Sequence, residues 1–77
     1  MKIEILGTGC AKCHQLDELV RKTVQEAGVN AEIIKVEDIK KIMTYGVMTT
    51  PALVIEGVVK VAGKIPSADQ IKGWLIG

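Results

Sequence analysis

The sequence predicts an α/β domain of order βαβαββα, a four-stranded mixed sheet flanked by three helices, and three observations predict it. Branched apolar runs bounded by glycine or turn residues recur four times, segments of helical periodicity stand between or after them, and 77 residues suffice for one core. A domain this small buries only about 60–65% of the surface its unfolded chain exposes, so one core must serve all of it. Residues 1–77 therefore read as a single domain, with no repeat, linker or low-complexity segment.

Lys2-Ile3-Glu4-Ile5-Leu6 has the alternating, branched character of a strand, which Gly7-Thr8-Gly9 breaks just before the first cysteine. From there Leu16, Leu19, Val20 and Val24 recur at helical spacing, with Asp17, Glu18, Arg21, Lys22, Gln25 and Glu26 on other faces, so a helix is expected from about Cys10 to Ala27. Gly28 supplies its C-terminal stop. Ala31-Glu32-Ile33-Ile34-Lys35-Val36 is the second strand, and strand, helix, strand in one sheet favours parallel pairing through a right-handed crossover.

Asp38 can cap a short helix that carries Ile39, Ile42 and Met43 inward and ends at Gly46. Ala52-Leu53-Val54-Ile55 and Val58-Val59-Lys60-Val61-Ala62 are joined by Glu56-Gly57, short enough for a hairpin turn, so these strands should be antiparallel. Ser67-Ala68-Asp69-Gln70 fits a capping box, and the helix behind it places Ile71, Trp74 and Leu75 on one face.

Hydrophobic residues make up 48% of the chain, and Tyr45 and Trp74 are its sole aromatics, so the core must be built from Ile, Leu, Val and Met. Ten basic against nine acidic residues leave a formal charge of +1, too weak a field to hold a nucleic acid backbone. The opening strand carries charge within its apolar stretch, unlike a signal peptide, and Ala52 to Ala62 is interrupted by Glu56-Gly57 and Lys60, too short to span a bilayer. The expectation is a cytoplasmic protein with neither nucleic acid nor membrane as partner.

Two cysteines spaced Cys10-Ala11-Lys12-Cys13 do not make the framework of bridges that holds small secreted folds together. In a reducing compartment such a pair serves catalysis or binds a metal. Thiol–disulfide exchange needs one accessible thiolate to attack a foreign disulfide and a second thiol near enough to resolve the mixed intermediate. Residues i and i+3 at a helix start meet that need. The unpaired N–H groups and positive dipole end would stabilise a Cys10 thiolate, making Cys10 the nucleophile and the more shielded Cys13 the resolving thiol. Lys12 between them adds positive charge but should be replaceable.

The strand, Gly-Cys-Ala-Lys-Cys, the amphipathic helix, and then Tyr45-Gly46-Val47-Met48-Thr49-Thr50-Pro51-Ala52-Leu53-Val54 together resemble the thioredoxin-like superfamily, nearest to the very small redox-active disulfide proteins of archaea and bacteria. The likeness covers nearly the whole chain, including Gly63 before the last helix, and joins two motifs about forty residues apart. It implies a thioredoxin-like fold and reversible exchange with protein disulfides, reduction being the default direction. It also implies a cis Thr50-Pro51 bond beside the disulfide, with Thr50 pairing its backbone with an extended substrate segment and Pro51 keeping metals from the cysteines. Electrons would come from a flavin-dependent thioredoxin reductase or another dithiol donor. No bound cofactor or metal is required, since the electrons reside in the two sulfurs, and a monomer suffices.

From the residues alone, Pro51 reads as a trans proline opening a strand, since only about 5–6% of X–Pro bonds are cis. The chain also departs from full-size thioredoxins, which carry Trp before the first cysteine and Gly-Pro between the two, where Gly9 and Ala11-Lys12 stand. Those proteins have a buried acid six residues before the first cysteine, and Glu4 holds that spacing as a candidate modulator. Read as a strand residue, Glu4 faces solvent, because charged groups are seldom buried.

Three rival readings use the same residues. Cys10-Ala11-Lys12-Cys13-His14 satisfies the C-x-x-C-H pattern for c-type haem, with Met43 or Met48 as an axial ligand, although the methionines read as core filler and His14 as a solvated first-turn residue. A soft-metal carrier for Cu(I) or Zn(II) is the main alternative, because small βαββαβ metallochaperones also place C-x-x-C after a first strand. Those usually have Met where Thr8 stands, and their second strand turns directly into a third. The third is an interaction module using an apolar rim at Val47-Met48 and Pro51, to which Tyr45 could belong, though a half-buried aromatic on the core is its commoner role.

Overall fold

The computed structural model describes residues 1–9 and 11–76. Its elements are β1 (Lys2–Leu6), α1 (Ala11–Ala27), β2 (Glu32–Val36), α2 (Ile39–Thr44), β3 (Ala52–Ile55), β4 (Val58–Ala62) and α3 (Ala68–Ile76). The sheet order is β2-β1-β3-β4. β1 pairs in parallel with β2, Ile3 opposite Ile33, and antiparallel with β3, Ile5 opposite Leu53. The expected βαβαββα order and mixed sheet are both present. The expected first helix reaches back to Cys10, which lies outside the described residues.

Alternation along the central strands divides the molecule into two cores, because successive strand residues point to opposite faces. On one face Ile3, Ile5, Leu53 and Ile55 pack against Leu16, Val20 and Val24 of α1 and Ile71 and Leu75 of α3. On the other, Leu6, Ala52 and Val54 meet Ile42 of α2 and Val47 behind it. β1 and β3 are covered on both faces, which is why Ala52–Ile55 is an unbroken apolar run.

Local chemistry sets the boundaries. Gly28, at φ 66°, ends α1 in a Schellman motif: its N–H donates to the Gln25 carbonyl, and the Val29 N–H donates to the Val24 carbonyl. The Asp38 carboxylate accepts from the Lys40 N–H at 3.0 Å and so caps α2. Glu56 and Gly57, at φ 53° and 80°, form the two-residue turn of the β3–β4 hairpin. At α3 the capping box closes reciprocally, Gln70 N–H donating to Ser67 Oγ at 3.2 Å and Ser67 N–H to Gln70 Oε1 at 3.0 Å.

α2 departs from expectation. Ile42 points inward, but Ile39 and Met43 are 61% and 67% exposed. A helix of six residues has under two turns, so the sheet covers Ile42 and the partly buried Tyr45 while their neighbours remain at the end of the sheet. Met48 is 97% exposed, so neither Met43 nor Met48 is core filler. His14 is exposed, as expected.

Candidate active site

β1 delivers the chain through Gly7-Thr8-Gly9 to the start of α1. Gly7 anchors this loop, its N–H donating to the Val36 carbonyl at 3.0 Å. Gly9 takes φ 89°, a conformation a side chain would resist. Cys13 lies in the first turn of α1, is 1% exposed and is disulfide-bonded. A Cβ on Gly7 would sit 2.4 Å from Cys13 Sγ and 3.0 Å from its Cβ. Glycine at position 7 is therefore what lets the sulfur seat against the strand end. Cys10 lies outside the described residues; Lys12 is exposed on α1.

The second motif is brought to the same end of the sheet. The Thr50-Pro51 peptide bond is cis, with Thr50 exposed and Pro51 buried. The Pro51 carbonyl accepts from the Gly63 N–H at 2.8 Å, and Gly63, at φ 77°, leaves room for Thr49, whose Oγ1 would lie 2.6 Å from a Cβ there. Gly63 thus holds the Thr49–Pro51 turn through both its backbone and its missing side chain. The apolar rim expected at Val47, Met48 and Pro51 is reduced to Met48, since Val47 and Pro51 are buried.

Glu4 corrects the solvent-facing reading. It is 7% exposed, on the sheet face that carries α2, and its carboxylate accepts a hydrogen bond from the Tyr45 hydroxyl while Lys2 Nζ stands 3.5 Å away. This bond raises the Tyr45 pKa above its ordinary 10.0, with desolvation and the Glu4 charge adding in the same direction. Sequence reasoning missed the pairing because the residues are 41 positions apart, with no local spacing to link them.

An apolar groove of about 390 Å³ opens at this end. Ile42 and Val47 form its floor, and the exposed Ile39, Met43 and Met48 form its wall. Thr8, leading to the cysteines, and Thr50, before the proline, complete the lining. Among the described residues no group of three or more His, Cys, Asp or Glu side chains is placed to hold a metal ion. None of the described helices is long and apolar enough to cross a membrane.

Residues 1–76 match the family model for the thioredoxin domain. The chain is 47% identical over 70 residues to a thioredoxin of Methanocaldococcus jannaschii, spanning 91% of this chain and 80% of that protein. It is 39% identical over 72 residues to a thioredoxin of Methanothermobacter thermautotrophicus, spanning 94% of each. With the four-stranded mixed sheet, the three helices and a buried disulfide sulfur in the first turn of α1, these matches establish that the chain belongs to the thioredoxin family, whose general chemistry is thiol–disulfide oxidoreduction.

Proposed function

We propose that the protein reduces disulfides of protein substrates by reversible dithiol–disulfide exchange through Cys10 and Cys13. The observation that carries this reading is the seat of Cys13: buried, disulfide-bonded, and pressed against a glycine at the end of β1. The Cys10 thiolate attacks one substrate sulfur, forming a mixed disulfide as the other substrate sulfur leaves with the electron pair of the broken bond. Cys13, deprotonated, then attacks Cys10 Sγ, forming the Cys10–Cys13 disulfide and releasing the second substrate thiolate. Two electrons have passed to the substrate, whose two thiolates take up protons from solvent.

Cys10 immediately precedes α1 in the chain, where unpaired N–H groups and the helix dipole favour a thiolate. Thr50, exposed beside the buried Pro51, offers backbone groups to an extended substrate segment, and Pro51 guards the cysteines from metals. Glu4, fixed by Tyr45 beneath α2, modulates the protonation steps, and Lys12 adds a dispensable positive charge. The protein works as a cytoplasmic monomer without bound cofactor, recharged by a thioredoxin reductase or another dithiol donor. The metal-carrier alternative is not favoured, since a helix and Thr50-Pro51 separate β2 from β3, where the metallochaperone pattern has a direct turn.

The test compares wild type, Cys10→Ser and Cys13→Ser in reduction of a protein disulfide by dithiothreitol. Cys10→Ser should be inactive, and Cys13→Ser should accumulate a mixed disulfide with substrate. Equal activity in all three would end the proposal.

A further inference from the structure

Resting on that reading, we infer that the groove under α2 selects substrates whose disulfide is flanked by a large apolar residue and by acidic residues. The groove joins the two chemical motifs through Thr8 and Thr50, so a segment crossing it leads to the cysteines. Its wall exposes Ile39, Met43 and Met48 together, and clustered exposed apolar side chains mark interaction surfaces. Methionine at two of the three positions suits a surface that adapts to several apolar side chains.

Charge determines what kind of segment fits. Residues 8–14 and 39–50, which supply the groove lining and the two motifs, and 62–67, whose Gly63 holds the Thr49–Pro51 turn, contain Lys12, Lys40, Lys41 and Lys64, together with His14, and no Asp or Glu. The chain as a whole is nearly balanced, ten basic against nine acidic, so this asymmetry belongs to one end of the molecule and not to the composition. All four lysines are exposed, and among the described residues none of them takes part in an ion pair. The two acids that precede α2 are engaged, Glu37 standing 4.0 Å from Lys35 and Asp38 capping α2 through the Lys40 N–H, and Asp17 behind the cysteines pairs with Arg21 at 2.9 Å. An apolar trough whose lining segments and their neighbours carry exposed lysines is complementary to an acidic, apolar peptide, and such peripheral charges act mainly on encounter rate and on rejection of the wrong partner.

The experiment measures second-order rates of reduction by the reduced protein for three disulfide-bearing peptides, acidic-apolar, basic-apolar and acidic-polar, with neutral hydroxyethyl disulfide as reference. At low salt the acidic-apolar peptide should react about tenfold faster than the basic-apolar one, the preference fading at high ionic strength and vanishing in Lys40→Glu/Lys41→Glu. The rate with hydroxyethyl disulfide should be unchanged in that variant. Met48→Gln should cut the advantage of acidic-apolar over acidic-polar. Equal rates for all peptides alongside intact reduction of hydroxyethyl disulfide would overturn the inference and leave the exchange reading standing. Serine versions of the same peptides, titrated while the Met43 and Met48 methyl resonances are followed, test the groove without exchange. The acidic-apolar peptide should shift both and the basic-apolar one neither; no shift with either would overturn the inference even if exchange itself failed.

Discussion

Replacing Gly7 with alanine tests how Cys13 is held. The new Cβ would lie 2.4 Å from Cys13 Sγ and 3.0 Å from Cys13 Cβ, against ordinary contacts of about 3.5–4.0 Å between carbon atoms. The sulfur must therefore give by more than an ångström. Gly7 is not among the glycines at positive φ, so alanine strains no backbone there and the whole penalty is steric. Overpacking of this kind costs about 1–3 kcal/mol. In a domain of this size that lowers the midpoint of thermal unfolding by about 4–8 °C per kcal/mol. A sulfur tied into a disulfide relaxes less easily than a free thiol, so the oxidised form carries more of the cost and reduction becomes more favourable. If the oxidised form carried all of it, the potential would rise by about 20–65 mV, at 30 mV per 1.4 kcal/mol. Urea unfolding of both redox forms, with equilibration in thiol–disulfide buffers, measures the two effects. A Gly7→Ala protein as stable as wild type in both forms, with an unchanged potential, would refute the packing of Cys13 on Gly7.

Gly63→Ala combines φ 77° with an approach of 2.6 Å to Thr49 Oγ1, whereas Gly57→Ala at φ 80° meets nothing within 4 Å. Chemical denaturation should show Gly63→Ala losing more stability than the roughly 1–2 kcal/mol of left-handed strain alone, and Gly57→Ala losing only that. Tyr45, the single tyrosine, should give a tyrosinate absorbance titration with its midpoint above 10.0 in the folded protein, falling back in Glu4→Gln and in urea. Because the folded value is raised, the stabilisation is complete below pH 10 and is lost as pH climbs through the folded value, so wild type should lose more stability there than Tyr45→Phe. A Tyr45 midpoint at or below 10.0 would contradict the Glu4 contact. Ser67→Ala should cost about 1 kcal/mol in urea unfolding through loss of the α3 cap, while a Ser67→Asp change should restore most of it.

Where the sequence spoke through local rules, the structure follows it. Period-2 and period-3.6 patterns fixed the strands and α1, Gly28 and Asp38 marked helix ends, and Ser67 with Gln70 announced a capping box that closes on both sides. What was not legible depends on tertiary placement. Ile39 and Met43 have the spacing of an inward face, yet so short a helix at the end of a sheet covers little beyond Ile42, and the residues left over make the groove. Glu4 looked like an ordinary solvent-facing strand residue because its burial is made tolerable by Tyr45, which arrives from α2 at a separation of 41 positions. The C-x-x-C pair was plain from spacing, but that Gly7 and Gly63 are glycine for want of room beside Cys13 and Thr49 could be seen only in three dimensions.

Equilibrium titration tests the proposed reversible redox couple of Cys10 and Cys13. Metal-free protein is equilibrated across a series of thiol–disulfide buffers, trapped with an alkylating agent, and its free cysteines are counted by mass. The expected result is one two-electron transition within a single chain, with both cysteines gained or lost together and a midpoint on the reducing side. A pair that stays reduced throughout, or oxidises only between chains, would contradict it.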